Sequence, residues 1–254
     1  MENTLTTKGK WEAVWAHREL PIIASPAVDV QRQLDRFLPH PGAHSLVEIG
    51  CAPGGWMAYF DKKYGYRVAG LEYADAAAEL TKQNMRMQKI NASVFVQDFF
   101  DFDFENNRYD IVFSAGFVEH FRDVPFVVEK ICKASNKYVV TMVPNLFGIN
   151  GVISKTIRPE VYAEHTPIDV DMLESNHGKC GLKTLFCGFV GGPRFIMPGA
   201  NNAFFEKHKL CARLVNIPFY CFNQVSEQSQ RRDFPTLRTR LLSDCILYVG
   251  MKQE

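Results

Sequence analysis

The chain has 254 residues, of which 46% are hydrophobic, and a formal net charge of +1 at pH 7. This length and hydrophobic content suffice for one domain with a sizeable core. The near-zero charge argues against a protein that binds nucleic acid non-specifically and against a polybasic membrane anchor.

The cysteines and the termini indicate where the protein works. Seven cysteines are scattered without a CxxC pair or a zinc-type spacing, so we expect them to be reduced and mostly buried. No stretch reaches the roughly 20 apolar residues of a membrane span, and the N-terminus lacks the apolar core of a signal peptide. These features predict a soluble, cytoplasmic protein without membrane contact. No set of metal ligands with a recognisable spacing is found, so no metal site is predicted.

Within the N-terminal segment, residues 1–40, residues 8–38 are predicted to be helical in two pieces that are separated around "LPIIASP". Trp11 and Trp15 are four residues apart and therefore share one face of the first helix. We expect this segment to form a lid with Trp11 or Trp15 facing a ligand. The alternative is that both rings only pack the helix on a sheet.

From residue 44 onwards, strand patterns alternate with helix patterns. The predicted strands are 44–50, 66–73, 92–100, 109–117, 137–145, 182–190 and 245–252, and the predicted helices are 54–64, 74–90, 122–135 and 169–178. The last of these helices is expected to be capped by Asp169 or Asp171. Alternation at this spacing predicts an α/β sandwich with a mostly parallel sheet.

A glycine turn, "GCAPGG" at 50–55, follows the first buried strand directly. Glycines let a backbone approach a ligand closely, and the N–H groups that open the next helix favour an electron-rich partner. Ligands in parallel α/β sheets bind beyond the carboxyl ends of the strands. The turn is therefore predicted to be a ligand cradle.

Three further strand ends carry polar or aromatic residues. Glu72 ends the second strand, where a carboxylate can accept hydrogen bonds from both hydroxyls of a ribose. Asp98 and Phe99 end the third strand and offer an acceptor for an adenine amino group and an apolar wall for its ring. The fourth strand leads into "SAGFVEHF", which carries Glu119 and His120. Together these ends outline an adenosine site.

Four stretches in this order resemble the class I S-adenosylmethionine-dependent methyltransferases: "VEIGCAPGG", "AGLEY", "VQDFFDF" and "YDIVFSAGFVEHF". The resemblance covers roughly residues 40–145, and the "GFVEHF" turn is most similar to the small-molecule branch. It implies one domain with a Rossmann-like α/β sandwich, a mostly parallel seven-stranded sheet and an antiparallel last strand. The cofactor-binding core would be 41–145, and helical, substrate-covering insertions would lie at 146–181 and 191–243.

The resemblance also implies the cofactor, S-adenosyl-L-methionine, with S-adenosyl-L-homocysteine as product. Glu48 and Gly50 would lie near the methionine part, and Glu72 would hold the ribose. The implied cofactor-binding residues are Trp11, Trp15, Glu48, Gly50, Cys51, Gly54, Gly55, Glu72, Tyr73, Asp98, Phe99, Gly116 and Glu119. Ala52 replaces the middle glycine of the usual G-x-G-x-G, which is tolerable if its φ is negative.

Methyl transfer to an O–H or N–H acceptor needs alignment and a place for a proton. His120 is the leading candidate for a general base because it follows the fourth strand; the alternative is a structural role. Tyr162 and His165, in the first insertion, are the other catalytic candidates. Asn145 and Asn150 follow the fifth strand and are candidates for the acceptor pocket, or else for ordinary turn residues.

The second insertion, 191–243, is rich in aromatic residues and is predicted to be a helical cover for the acceptor or a homodimer contact. Four arginines lie near its end, either as a solvated face or as a site for an anionic group on the substrate. They are Arg231, Arg232, Arg238 and Arg240.

The predicted function is methyl transfer from S-adenosylmethionine to a small molecule, with oxygen favoured as acceptor atom and nitrogen or sulfur left open. No nucleic-acid partner is expected. The alternatives are a protein, peptide or RNA methyltransferase and a non-catalytic binding module on a degenerate methyltransferase fold. An NAD-dependent dehydrogenase is a weaker rival: Gly50, Ala52 and Gly55 fit its fingerprint loosely, but Pro53 is unusual there and Asp98 would have no role.

Overall fold

The computed structural model describes residues 3–16, 18–193, 208–231 and 238–253. Within these residues the helices are α1 Lys8–Trp15, α2 Val28–Phe37, α3 Gly55–Tyr64, α4 Asp75–Met87, α5 Val124–Ala134, α6 Ile149–Ile157, α7 Pro159–Tyr162, α8 Val170–Gly178 and α9 Lys209–Arg231. The strands are β1 Ser45–Ile49, β2 Arg67–Glu72, β3 Ser93–Val96, β4 Tyr109–Ala115, β5 Ser135–Pro144, β6 Leu182–Pro193 and β7 Ser243–Lys252. A short 3₁₀ turn, Val118–His120, follows β4.

The strands form a single seven-stranded sheet in the order β3-β2-β1-β4-β5-β7-β6. Strands β1 to β5 pair in parallel, whereas β7 is antiparallel to both β5 and β6. The predicted α/β class, the mostly parallel sheet and the antiparallel last strand are confirmed. The chain order reverses on either side of β1, so the carboxyl ends of β1, β2 and β4 meet at the point where such sheets bind ligands.

The core lies on both faces of the sheet. Successive residues of β1 alternate between two buried apolar clusters, with Leu46 in one and Val47 in the other. The Leu46 cluster includes Phe60 of α3, and the Val47 cluster includes Val127 of α5. A strand covered on both faces reads as a continuous apolar run, which is why "SLVEI" shows no alternation.

Several boundaries differ from the predicted ones for local reasons. Strand β3 ends at Val96, not near residue 100, because Asp98 turns the chain: its Oδ1 accepts the Phe100 N–H at 2.8 Å. Of the two candidate caps for α8, Asp169 is the one used, since its side chain accepts from the Met172 N–H. Strand β5 starts at Ser135, directly after α5.

The second predicted insertion contains α9, so the expected helical element is present there. Arg232 lies outside the described residues, as does the side chain of Arg231. Arg238 places its Nε 3.4 Å from Asp29 Oδ2, and the Arg240 guanidinium lies 5.2 Å from the centre of the Phe147 ring. Among the residues placed by the structure, no helix combines the length and the apolar character needed to cross a bilayer.

A glycine in β2 determines how closely the first turn packs on the sheet. A Cβ on Gly70 would lie 2.5 Å from Cys51 Sγ and 2.7 Å from Met57 Sδ, whereas a Cβ on Gly178 at the end of α8 would meet nothing within 4 Å. We therefore expect Gly70→Ala to lower the free energy of unfolding by about 1–3 kcal/mol through overpacking. Gly178→Ala should leave it within about 0.5 kcal/mol or raise it. Urea unfolding of both variants tests this; equal stabilities would show that the turn can move away from β2.

Candidate active site

A cavity of about 1200 Å³ lies beyond the carboxyl ends of β1 to β4 and beneath the N-terminal segment. Eleven of the residues predicted from the sequence line it. They are Trp11, Trp15, Glu48, Gly50, Gly55, Glu72, Tyr73, Asp98, Phe99, Gly116 and His120. The strand ends therefore converge on one space, as their order in the sheet requires.

The glycine turn has the backbone conformation that its sequence indicates. Gly50 has a φ of +70° and Gly54 a φ of +83°, and both belong to the left-handed region that glycine tolerates. A Cβ on Gly50 would also lie 3.0 Å from the Phe117 ring. Ala52 does not need glycine, because Lys89 is the only non-glycine residue with positive φ in the described part of the chain.

Two buried carboxylates at strand ends accept hydrogen bonds from backbone N–H groups. Glu48 Oε2 accepts the Met57 N–H at 3.1 Å, and Glu72 Oε1 accepts the Ala74 N–H at 3.0 Å. Glu48 and Glu72 are only 3% and 6% exposed, and burial raises the pKa of both carboxyl groups. The nearby Glu72 raises the pKa of Glu48 further, while backbone N–H groups oppose the rise at Glu72. The floor of the cavity thus carries oriented acceptors in a desolvated setting.

Aromatic rings form much of the remaining wall. Phe99 packs edge-on against Phe117 with ring centres 5.1 Å apart, and Phe100 stacks on Phe126 at 5.8 Å. All four line the cavity. Such a wall suits flat apolar groups, and its ring faces attract a cation.

The N-terminal segment is attached to the turn that follows β4. Thr4 forms an antiparallel bridge with Phe121, and the Leu5 N–H donates to the His120 carbonyl at 2.8 Å. The Trp11 indole donates to Thr6 Oγ1, and its ring meets the His120 ring edge-on at 4.9 Å. Trp11 and Trp15 both line the cavity, so residues of the N-terminal segment form part of its wall.

Asn84 of α4 is a positioning residue that sequence reasoning missed. It is fully buried; its amide donates to Ile22 O and to Pro53 O, both at 2.8 Å, and its Oδ1 accepts the Ile22 N–H at 2.9 Å. It thereby ties the glycine turn to the N-terminal segment. The signal for it is periodicity, since Asn84 lies on the buried face of α4 with Ala77 and Thr81.

The 3₁₀ turn after β4 brings together three titratable side chains. His120 lines the cavity, and its ring centre lies 4.5 Å from that of His165; Glu119 is 2% exposed. Burial lowers the pKa of His120 to about 3, with help from His165 and Lys10, and it raises the pKa of Glu119 to about 8. The sequence predicts no metal site. In the structure, however, these three side chains form a group of potential metal ligands, to which His165 contributes from a distant loop.

The other predicted site residues lie outside the cavity. Cys51 is fully buried beneath the turn, and Gly54 faces Met85 and Thr81 of α4. The Tyr162 ring contacts the Lys155 ammonium group, and His165 touches the cavity wall only through His120.

The two asparagines predicted for the acceptor pocket do not reach this cavity either. Asn145 Nδ2 donates to Arg240 O at 2.8 Å and to Ser243 O at 2.9 Å, so its amide joins the end of β5 to the start of β7. Asn150 is 8% exposed within α6. Both residues follow the end of a strand, which is why the sequence suggests a pocket. In the folded chain, however, the Asn145 amide bonds the backbone just before and at the start of β7.

Comparison with known proteins points to one class. Residues 46–137 match the family model described as "Methyltransferase domain". Tocopherol O-methyltransferase of Arabidopsis thaliana is 24% identical over 151 residues, which are 51% of this chain and 43% of that protein. Sarcosine/dimethylglycine N-methyltransferase of Aphanothece halophytica is 25% identical over 126 residues, 48% of this chain and 46% of that protein. The matches thus span less than half the length of these curated relatives.

Solved structures agree on the fold. Phosphoethanolamine N-methyltransferase 2 of Haemonchus contortus, solved with phosphomonomethylethanolamine and S-adenosylhomocysteine, superposes with a TM-score of 0.60 at 17% identity. The superposition covers 89% of this chain and 52% of that one. Residues 46–137 are therefore similar to a methyltransferase domain, and the fold is that of the class I S-adenosylmethionine-dependent methyltransferases. The matched residues include the glycine turn and all three strand-end acids.

Removing the Asn84 side chain tests whether it positions the cradle. We expect Asn84→Ala to lower the free energy of unfolding by about 1–3 kcal/mol, because the part-buried Ile22 N–H and Pro53 carbonyl lose their partner, while the Ile22 carbonyl keeps the Gln88 amide. Gln83→Ala, which removes an exposed amide from the same helix, should change it by less than about 0.5 kcal/mol. Chemical unfolding of both variants provides the measurement. An Asn84→Ala protein as stable as the Gln83→Ala protein would contradict the assignment.

Proposed function

We propose that this protein transfers the methyl group of S-adenosylmethionine to a small-molecule acceptor. The observation that carries the proposal is the convergence of Glu48, Glu72 and Asp98 with a left-handed glycine turn on one cavity. All lie in the segment that matches a methyltransferase domain. An arrangement of acceptors at three successive strand ends suits the hydroxyls, amine and amino-acid group of that cofactor.

The residues present fit the cofactor in both shape and charge. Glu72 is an acceptor-only carboxylate and can take hydrogen bonds from two ribose hydroxyls. Asp98 and Phe99 offer an acceptor and an apolar wall for adenine. Glu48 lies two residues before the glycine turn in the sequence and lines the cavity, where it can hold the positively charged amino-acid end directly or through water. When bound, S-adenosylmethionine supplies an electrophilic methyl group on a sulfonium sulfur.

The acceptor is proposed to occupy the aromatic part of the cavity near His120. Phe100, Phe121 and Phe126 line this part and would exclude water from the reacting groups. The similar proteins act, by name, on tocopherol, on sarcosine and dimethylglycine, and on phosphoethanolamine. These are all small molecules, and the near-neutral charge of this chain agrees with such a substrate better than with a nucleic acid.

Oxygen is the proposed acceptor atom because His120 can accept a hydrogen bond from a hydroxyl. Its Nδ1 lies 2.9 Å from the Glu164 carbonyl, which only accepts, so the ring proton is on Nδ1 and the lone pair is on Nε2. With its pKa lowered to about 3, the imidazole orients a hydroxyl more effectively than it stores a proton at neutral pH.

Binding of the product S-adenosylhomocysteine tests the proposal. We expect calorimetry to give a dissociation constant in the micromolar range, and no binding of NADH. Glu72→Ala should weaken binding about 10- to 100-fold, since charged hydrogen bonds are worth about 1.5–3 kcal/mol. Glu79→Ala is the matched control, because Glu79 lies on α4 with its side chain 60% exposed and should leave binding unchanged.

The opposite results have distinct meanings. Binding of NADH in place of S-adenosylhomocysteine would favour the dehydrogenase reading. A folded protein that binds neither would support a non-catalytic module. To separate lost binding from lost folding, Glu72→Gln and a thermal melt accompany the alanine variant; a folded Glu72→Gln protein with full affinity would remove Glu72 from the ribose site.

A further inference from the structure

An unassigned cluster of metal-ligand side chains lies next to the cavity, and its member His120 lines the cavity wall. Glu119 and His120 come from the 3₁₀ turn after β4, and His165 comes from the loop between α7 and α8. One ligand-type atom from each of the three lies within 4.8 Å of the other two. The ligand atoms of a tetrahedral ion with bonds of about 2.0–2.2 Å lie about 3.3–3.6 Å apart, so small side-chain movements would bring all three atoms onto one ion.

Backbone contacts orient both imidazoles for metal binding. His120 Nδ1 lies 2.9 Å from Glu164 O, and His165 Nδ1 lies 2.7 Å from Val161 O. A carbonyl can only accept, so each Nδ1 carries the proton and each Nε2 carries the lone pair. Ligating histidines in metal sites characteristically donate their other N–H in this way, which fixes the tautomer and the ring orientation.

The side chain of Glu119 gives an independent indication that a cation binds here. Its side chain is 2% exposed, and its Oε2 is buried without a hydrogen-bond partner among the described residues. An unsatisfied buried carboxylate oxygen is costly, and a cation beside it would remove that cost. The Lys10 ammonium group is paired with the Glu164 carboxylate.

We propose that Glu119, His120 and His165 bind one first-row divalent transition-metal ion of the zinc type. Two imidazole nitrogens and one carboxylate oxygen form the donor set that zinc and its neighbours favour, and three protein ligands leave a position open. Because His120 also lines the cavity, an ion held there lies at the acceptor end of the site; in the loaded protein the ion, rather than the His120 Nε2 lone pair, would meet the acceptor oxygen. An acceptor molecule with an oxygen atom that can bind the metal would bind more tightly to the metal-loaded protein. That consequence rests on the proposed function, whereas metal binding itself does not depend on it.

Cobalt(II) is the probe for this site, because it substitutes for zinc and absorbs visible light. We expect chelator-stripped wild-type protein to bind one equivalent of Co²⁺ with d–d absorption, and Zn²⁺ to displace it. Glu119→Gln and His165→Gln should each weaken binding at least about 10- to 100-fold, since even indirect partners of a metal have effects of that size. His40→Gln is the control, because His40 lies by Asp35, away from the cluster, and should bind as wild type does.

Three results would overturn the proposal: no saturable Co²⁺ binding by the wild-type protein, undiminished binding by both cluster variants, or equal loss in His40→Gln. Circular dichroism and S-adenosylhomocysteine binding are measured on the same samples. Folded variants that keep the nucleoside but lose the metal support the site. Wild-type protein that binds the metal but not the nucleoside would leave this site standing and overturn the proposed function instead.

Discussion

The close packing of the glycine turn on β2 is the constraint on which the site depends. Gly50 and Cys51 both donate their N–H groups to Leu71 O, at 2.9 and 3.2 Å, so the turn is bonded to the end of β2. The Cys51 side chain lies in the space left by the absent Cβ of Gly70. From the other side, Asn84 bonds Pro53 O and Ile22. The turn is thus clamped between sheet, helix and N-terminal segment, and Glu48 and Glu72 are held at neighbouring strand ends.

This clamp places two carboxyl groups where solvation is poor. Burial of a charge is expensive unless hydrogen bonds compensate for it, and the structure offers each acid a backbone N–H. Those bonds are local consequences of the α/β order: the Met57 N–H belongs to the first turn of α3, and the Ala74 N–H immediately precedes α4. Acceptors fixed in this way lose little entropy when a ligand with several donors arrives.

The sequence pattern predicts features formed by neighbouring residues and misses contacts between residues that are distant in the chain. Each strand end with its acid lies within a few residues of a hydrophobic run, so the alternation of strands and helices and the position of Glu72 at a strand end follow from pattern alone. Asn84 is visible only as a polar residue on an apolar helix face, and its partners Ile22 and Pro53 are 62 and 31 residues away. The position of Asn145 after a strand predicts a place in the acceptor pocket. Its amide instead donates to the carbonyls of Arg240 and Ser243, which lie 95 and 98 residues further along the chain.

The same contrast between local and long-range contacts explains why the sequence predicts one end of the cavity better than the other. The end proposed for the nucleoside is built from consecutive strand–helix units, which the sequence pattern reveals directly. The end proposed for the acceptor is built where three distant pieces meet: Thr4 pairs with Phe121, the Thr166 N–H donates to Glu119 O, and the His165 ring packs on His120. These contacts depend on the lengths and conformations of connecting loops, which no periodicity encodes. A reaction class can therefore be inferred from the first half of the chain, while the acceptor is selected by contacts that only the folded molecule brings together.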